Sequence, residues 1–162
     1  MSDAAAVPAE QTELGEILES LLPTIDALDL AAGDAAAQLE AAHPMAGETL
    51  QRLRALCAQG LEAGWLAPRE AGPKVRYGRF AKDLGGYAID AVLMEGAALG
   101  HTHPRGEINI GLAWEGEPLF DGEPAGWSVY PPGSHHVPTV TGGKMLFVYL
   151  TPGGEVIWDA RD

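Results

Sequence analysis

From Pro73 onward the sequence breaks into short β-forming runs, VRYGRFAK, YAIDAVLM, INIGLAW, PLF, WSVY, MLFVYL and EVIW, separated by glycine and proline. β-Branched and aromatic side chains suit a pleated surface, and Gly and Pro supply the turns between strands. Many short strands at this spacing read as an antiparallel sandwich or small barrel. Before Pro73 the period changes. Leu14, Ile17, Leu18, Leu21 and Leu22 recur at i, i+3, i+4, i+7, i+8, which predicts an amphipathic helix over Glu10–Leu22, ended by Pro23. Thr24 is placed to cap a second, alanine-rich helix through Ile25, Leu28, Ala35 and Leu39 towards His43, stopped by Pro44. A third is predicted from Ala46 to Ala63, with Leu50, Leu53, Leu56 and Leu61 inward, Glu48 and Arg52 as an i, i+4 pair, and Gly64 as the stop. The expected division is a flexible N-terminus over residues 1–9, a helical segment over 10–72 and a jelly-roll barrel over 73–162, mainly β overall.

At 162 residues the chain can bury a core without disulfides or a partner. Its one cysteine, Cys57, has no intramolecular partner, and the start MSDAAAVPAEQ lacks the basic and apolar pattern of a secretory signal, so a cytoplasmic location is expected. No apolar run reaches the roughly 20 residues of a spanning helix, so no membrane partner is expected. A formal charge of −13 would repel a phosphate backbone, which argues against nucleic acid. Against that acidic background Lys74, Arg76, Arg79 and Lys82, four of ten basic residues, crowd into nine positions and suggest an anion site.

Four of the five histidines also cluster. His101 and His103 stand in HTHPRGE, and His-x-His on a strand puts both imidazoles on one face. Glu107 follows four residues later, with Pro104 and Gly106 permitting a bend that aims its carboxylate at the same point. In YPPGSHH a Pro-Pro-Gly turn can deliver His136 from a neighbouring strand. Three imidazoles and a carboxylate suit one divalent ion such as zinc, manganese or iron(II), and they leave positions open, as catalytic sites do. His135 points the other way on a regular strand.

GAALGHTHPRGE and GWSVYPPGSHH resemble the two metal-binding motifs of the cupin superfamily, and the match assigns His101, His103, Glu107 and His136 as ligands. GWL at 64–66, GRFAKD, HTHPRGEINI, FDGEPAGWSVYPPGSHHVPTVTGG and MLFVYLTPGGEVIW together resemble the 4-hydroxylaminobenzoate lyase family over roughly residues 45 to 158. The resemblance implies a cupin barrel and a lyase that turns 4-hydroxylaminobenzoate, or a related aryl hydroxylamine, into protocatechuate and ammonia.

That chemistry needs neither nicotinamide nor flavin, since water enters and ammonia leaves. A metal could act as a Lewis acid on the hydroxylamine oxygen. Loss of a ring proton needs a base, for which His135 and an unliganded Glu107 oxygen are the candidates. The partner is then a small aromatic carboxylate, whose anion an arginine fork would grip, Arg79 first and Arg105 next. Tyr77, Trp114, Trp127, Tyr130 and Tyr149 are expected to pack in the core, with room for one or two in a ring-stacking wall. The competing functions are a cupin dioxygenase acting on a small aromatic and a non-enzymatic metal-bound sensor of a small ligand. Apolar helix stripes need covering by the barrel or a second copy, and analogy with cupins adds the expectation of a homodimer.

Overall fold

The computed structural model describes residues 6–160, so residues 1–5 of the expected flexible N-terminus and the final two residues of the chain lie outside the described residues. Three helices come first, α1 (Ala9–Asp26), α2 (Ala35–Ala42) and α3 (Glu48–Ala63). The strands are β1 (Arg69–Glu70), β2 (Val75–Leu84), β3 (Tyr87–Ala97), β4 (His101–His103), β5 (Glu107–Phe120), β6 (Glu123–Pro124), β7 (Gly126–Tyr130), β8 (Ser134–His136), β9 (Thr139–Pro152) and β10 (Ile157–Trp158). They form two antiparallel sheets: a large one ordered β1-β2-β3-β9-β5-β6 with β7 also on β5, and a small one ordered β10-β4-β8. This is the cupin jelly roll with an N-terminal helical segment.

The helix boundaries differ from expectation most between α1 and α2, and α3 starts at Glu48 rather than Ala46. Pro23 does not end α1, which continues one further turn to Asp26. A proline costs the helix one N–H bond, but Pro23 lies on the solvent face while Leu21, Leu22 and Ile25 are buried, so packing outweighs the lost bond. Thr24 is therefore inside α1 and caps nothing; its hydroxyl lies 3.0 Å from Nε2 of His43 and ties α1 to the end of α2. Residues 27–34 turn, and α2 starts only at Ala35. Likewise Arg52 does not pair with Glu48 but forks onto Glu13 of α1 at 2.7 Å. Gly64 ends α3 in the left-handed conformation, φ 87°.

Both faces of the large sheet are covered, which explains why MLFVYL on β9 reads as an unbroken apolar run. Leu146, Val148 and Leu150 on β9, Ile108, Ile110 and Leu112 on β5, and Ile89 and Ala91 on β3 join the helices' leucines in one core. The alternate residues Met94, Met145 and Phe147 fall on the opposite face with Phe120 and Val140, inside the barrel. Trp127 fastens α2 to β7 by donating its indole N–H to the His43 carbonyl at 2.9 Å. Leu14, Leu18, Leu21 and Ile25 are all buried within the one chain, so the α1 stripe needs no second copy to cover it. No described helix is long and apolar enough to cross a membrane.

Truncating a fully buried helix side chain should therefore test the scaffold apart from the site. Leu18→Ala is expected to lower stability in urea by about 2–5 kcal/mol, the cost of a core cavity; a loss below about 1 kcal/mol would place α1 outside the core.

Candidate metal centre

Strand register builds the cluster. β4 pairs antiparallel with β8, setting His101 opposite His136, Thr102 opposite His135 and His103 opposite Ser134. Directly opposed residues share a face, so His101, His103 and His136 all point inward. Glu107 enters from the first residue of β5 after the Pro104–Gly106 turn. Gly106 takes φ +86°, and a Cβ there would press on the Tyr130 carbonyl and on Leu30, so this tight bend calls for glycine. The carbonyl of His103 accepts N–H bonds from Gly106 and from Gly133, joining the two turns that carry the donors.

The ligand atoms of His101, His103, Glu107 and His136 lie within 4.8 Å of one another. Donors bound at about 2.0–2.2 Å to one ion can be at most about 4.4 Å apart, so shifts of tenths of an ångström would complete a site. Each imidazole is fixed through its other nitrogen. Nδ1 of His136 meets Asp121 Oδ2 at 2.6 Å, Nδ1 of His103 meets Ser134 Oγ at 3.2 Å, and Nδ1 of His101 meets the Leu99 carbonyl at 3.2 Å. With Nδ1 engaged in this way, Nε2 is the nitrogen each ring has free for an ion, the arrangement metal-binding histidines use.

Burial makes the case sharper. His103 is 0% exposed, Glu107 4% and His101 6%. Even so, Nε2 of His103 and of His136 and Oε2 of Glu107 have no hydrogen-bond partner. His103 Nε2 and Glu107 Oε2 sit 2.7 Å apart without a hydrogen bond's alignment, both directed at the same space. Orphaned buried donors of this kind are costly unless something satisfies them, and a cation would. Burial alone would raise the Glu107 carboxyl, but the His101 and His103 imidazoles outweigh it and hold Glu107 below the usual carboxylate range. Burial pushes His136 below the usual histidine value, against the pull of Asp121, which favours the neutral imidazole. His101 is lowered by burial, yet the Glu107 carboxylate more than compensates and leaves it above the usual histidine value. Three imidazoles facing a carboxylate fit a zinc, manganese or iron(II) ion.

Beside the cluster opens a cavity of about 280 Å3 whose wall includes His101, Glu107, Tyr77, Tyr149, Thr151 and Trp158. Thr151 points its hydroxyl toward Oε1 of Glu107 at 3.5 Å. Arg79 also lines the cavity but is forked onto Asp90, Nε to Oδ1 at 2.9 Å, with its side chain about half exposed. Arg105 is exposed on its turn, its guanidinium laid against Gly153, and does not line the cavity. His135 is not brought to the cluster: strand alternation turns it outward, where Nε2 lies 2.8 Å from Asp159. Lys74 and Arg76 border a different, smaller pocket, and Arg76 donates to the carbonyls of Ala67 and Leu61.

Of the five aromatics considered, Tyr77 and Tyr149 reach the cavity, Tyr130 packs on the His136 ring at 4.1 Å, and Trp114 holds Arg54 over its face at 4.9 Å. Two residues escaped sequence reasoning. Asp121, which fixes His136 and also accepts from Tyr130 Oη at 2.7 Å, hides in a Phe-Asp-Gly turn that reads as a plain loop. Trp158, whose ring lies 4.9 Å from that of His101, looked like the end of a short strand.

Comparison with known proteins identifies a family. A family model described as PnbB: 4-hydroxylaminobenzoate lyase matches residues 18–158. A 4-hydroxylaminobenzoate lyase of Nocardioides sp. (strain LMS-CY) is 28% identical over 163 aligned positions, covering 89% of this chain and 94% of its own. Another with that name, from Pseudomonas putida, is 30% identical over 132, covering 69% of this chain and 75% of its own. Among solved structures, a chain from the crystal structures of the DMSP lyases RdDddP and RnDddQII superposes with a TM-score of 0.56 at 13% identity, over 94% of this chain and 98% of that one, a likeness of fold alone. With a family match that runs from the middle of α1 through α2, α3 and both histidine motifs to the last strand, this chain belongs to the 4-hydroxylaminobenzoate lyase family.

Proposed function

We propose that the protein is a metal-dependent lyase that converts 4-hydroxylaminobenzoate, or a closely related aryl hydroxylamine, to protocatechuate and ammonia. The observation that carries this reading is a buried three-His, one-Glu donor set opening onto a small aromatic-lined cavity. At about 280 Å3 the cavity is at the small end of ligand sites, suited to a single ring with short substituents. A divalent ion held by His101, His103, Glu107 and His136 supplies a Lewis acid for weakening an N–O bond.

The remaining work falls to side chains. The product requires oxygen on the ring carbon beside the one bearing nitrogen, replacement of nitrogen through hydrolysis of an imine, and loss of one ring proton. In balance, one water enters and one ammonia leaves, with no external oxidant. For the proton, Oε1 of Glu107 is the better placed of the two candidate bases, because it turns toward Thr151 on the cavity wall whereas His135 faces away. Arg79 is the one cation lining the cavity among the described residues and is the anchor we assign to the substrate carboxylate. Asp90 holds its fork in a fixed orientation but also shares its charge.

Purified protein should carry about one divalent ion per chain by elemental analysis. His101→Ala with His103→Ala should empty the site without unfolding the barrel, and full occupancy in that double variant would refute the ligand set. Incubation with 4-hydroxylaminobenzoate under anaerobic conditions should release protocatechuate and ammonia in equal amounts. Turnover that stops without oxygen would instead indicate a dioxygenase, and binding without turnover a sensor. Arg79→Met should weaken substrate binding by about 1–2 kcal/mol, under the usual charge-assisted value because the group is half exposed and shared. Metal content should stay the same, and unchanged affinity would move the anchor elsewhere.

A further inference from the structure

His135 and Trp158 do not belong to the donor set, yet both are tied to it through one short segment. After β9 the chain reverses at Gly153 and Gly154, with φ of +63° and +68°, and returns across the cavity. Two consecutive left-handed residues are open to glycine and strained for other residues, so the reversal is fixed at this point. Gly154, Val156 and Trp158 then form part of the cavity wall. Ile157 and Trp158 pair with Thr102 and His101 of β4, and the Asp159 N–H donates to the Gly100 carbonyl at 3.0 Å. A Cβ on Gly100 would collide with the Asp159 carboxylate, so the segment lies directly on the backbone that leads into β4. The carboxylate ends against Nε2 of His135, at 2.8 and 3.0 Å to its two oxygens.

We propose that residues 153–159 are a strap that closes the aromatic cavity, with Trp158 the stacking face for the substrate ring and the His135–Asp159 pair the latch holding the strap to β4 and β8. The proposal rests on the reading of this cavity as the substrate site. Trp158 leans on the His101 ring on one side, lines the cavity, and is still 60% exposed, so its indole is not spent on core packing. A flat, rigid face beside the donor cluster is what an aromatic substrate can stack on. The attachment is short, a two-residue ladder and one imidazole–carboxylate contact whose side chains are 48% and 40% exposed. Exposed pairs of this kind contribute little, which suits a fastening that must release each time a ligand passes. The position next to His136 makes the latch an extension of the same strand that carries a donor.

Hydrogen exchange, ligand binding and kinetics on the metal-loaded protein test the two halves separately. His135→Ala and Asp159→Ala should each speed amide exchange in 153–159 by roughly 2- to 5-fold, and the double variant no further, because one exposed pair is lost in all three. Exchange in β9 should not move. Strap exchange unchanged in the single variants, or additive in the double one, would overturn the latch. Trp158→Ala should raise KM for 4-hydroxylaminobenzoate and Kd for the unreactive 4-aminobenzoate by roughly 3- to 10-fold with kcat and metal content retained, and Trp158→Phe should recover most of it. Equal affinity of Trp158→Ala and parent for 4-aminobenzoate, or no binding by the parent, would overturn the stacking role. Binding without turnover by the parent would overturn the lyase reading and leave the strap standing.

Discussion

The pairing register of β4 with β8 is the constraint on which the centre depends. Side chains alternate along a strand, so a slip of one residue would turn His136 outward and bring His135 in. The register is held by two turns that meet at one acceptor, the His103 carbonyl, which takes N–H bonds from Gly106 and Gly133. The first of those turns also sets the entry of Glu107. Three of the four donors thus have their directions fixed by one three-residue strand pair and a shared carbonyl.

Holding unpartnered donors in a buried space is unfavourable in itself, and the scaffold must offset it. The large sheet does so by burying both faces, one under the leucines of α1 and α3 and the other against Met94, Phe120, Met145 and Phe147 inside the barrel. Helices that carry no donor still bear on the site, since they stiffen the strands from which Glu107 and the cavity wall project. Asp121 acts closer in. From a turn between β5 and β6 it takes His136 Nδ1, Tyr130 Oη and the Thr139 N–H together, so one carboxylate orients a donor and joins three strands.

Much of this was legible because the chemistry is local. HTHPRGE and YPPGSHH carry their geometry in their spacing, and the alternation that faces His101 with His103 also turns His135 away. The β-runs and Gly64 follow from backbone preferences alone. What was not legible depends on partners distant in sequence: Arg52 prefers Glu13, 39 residues away, to its neighbour Glu48, and Pro23 is tolerated because of what α1 packs against. Arg79 was legible as a strand cation and candidate anchor, but neither its place on the cavity wall nor Asp90 as its strand partner was. For Asp121 and Trp158, a turn aspartate and a terminal tryptophan look ordinary until the strands that they touch are assembled.

The central claim is that three imidazoles and one carboxylate share a single ion. X-ray absorption at the metal edge of the ion-loaded protein reads that shell directly. The account predicts only nitrogen and oxygen neighbours, about 2.0–2.2 Å away for zinc, with the outer-shell scattering of about three imidazole rings. A shell with one imidazole or none, or one containing sulfur from Cys57, would contradict it.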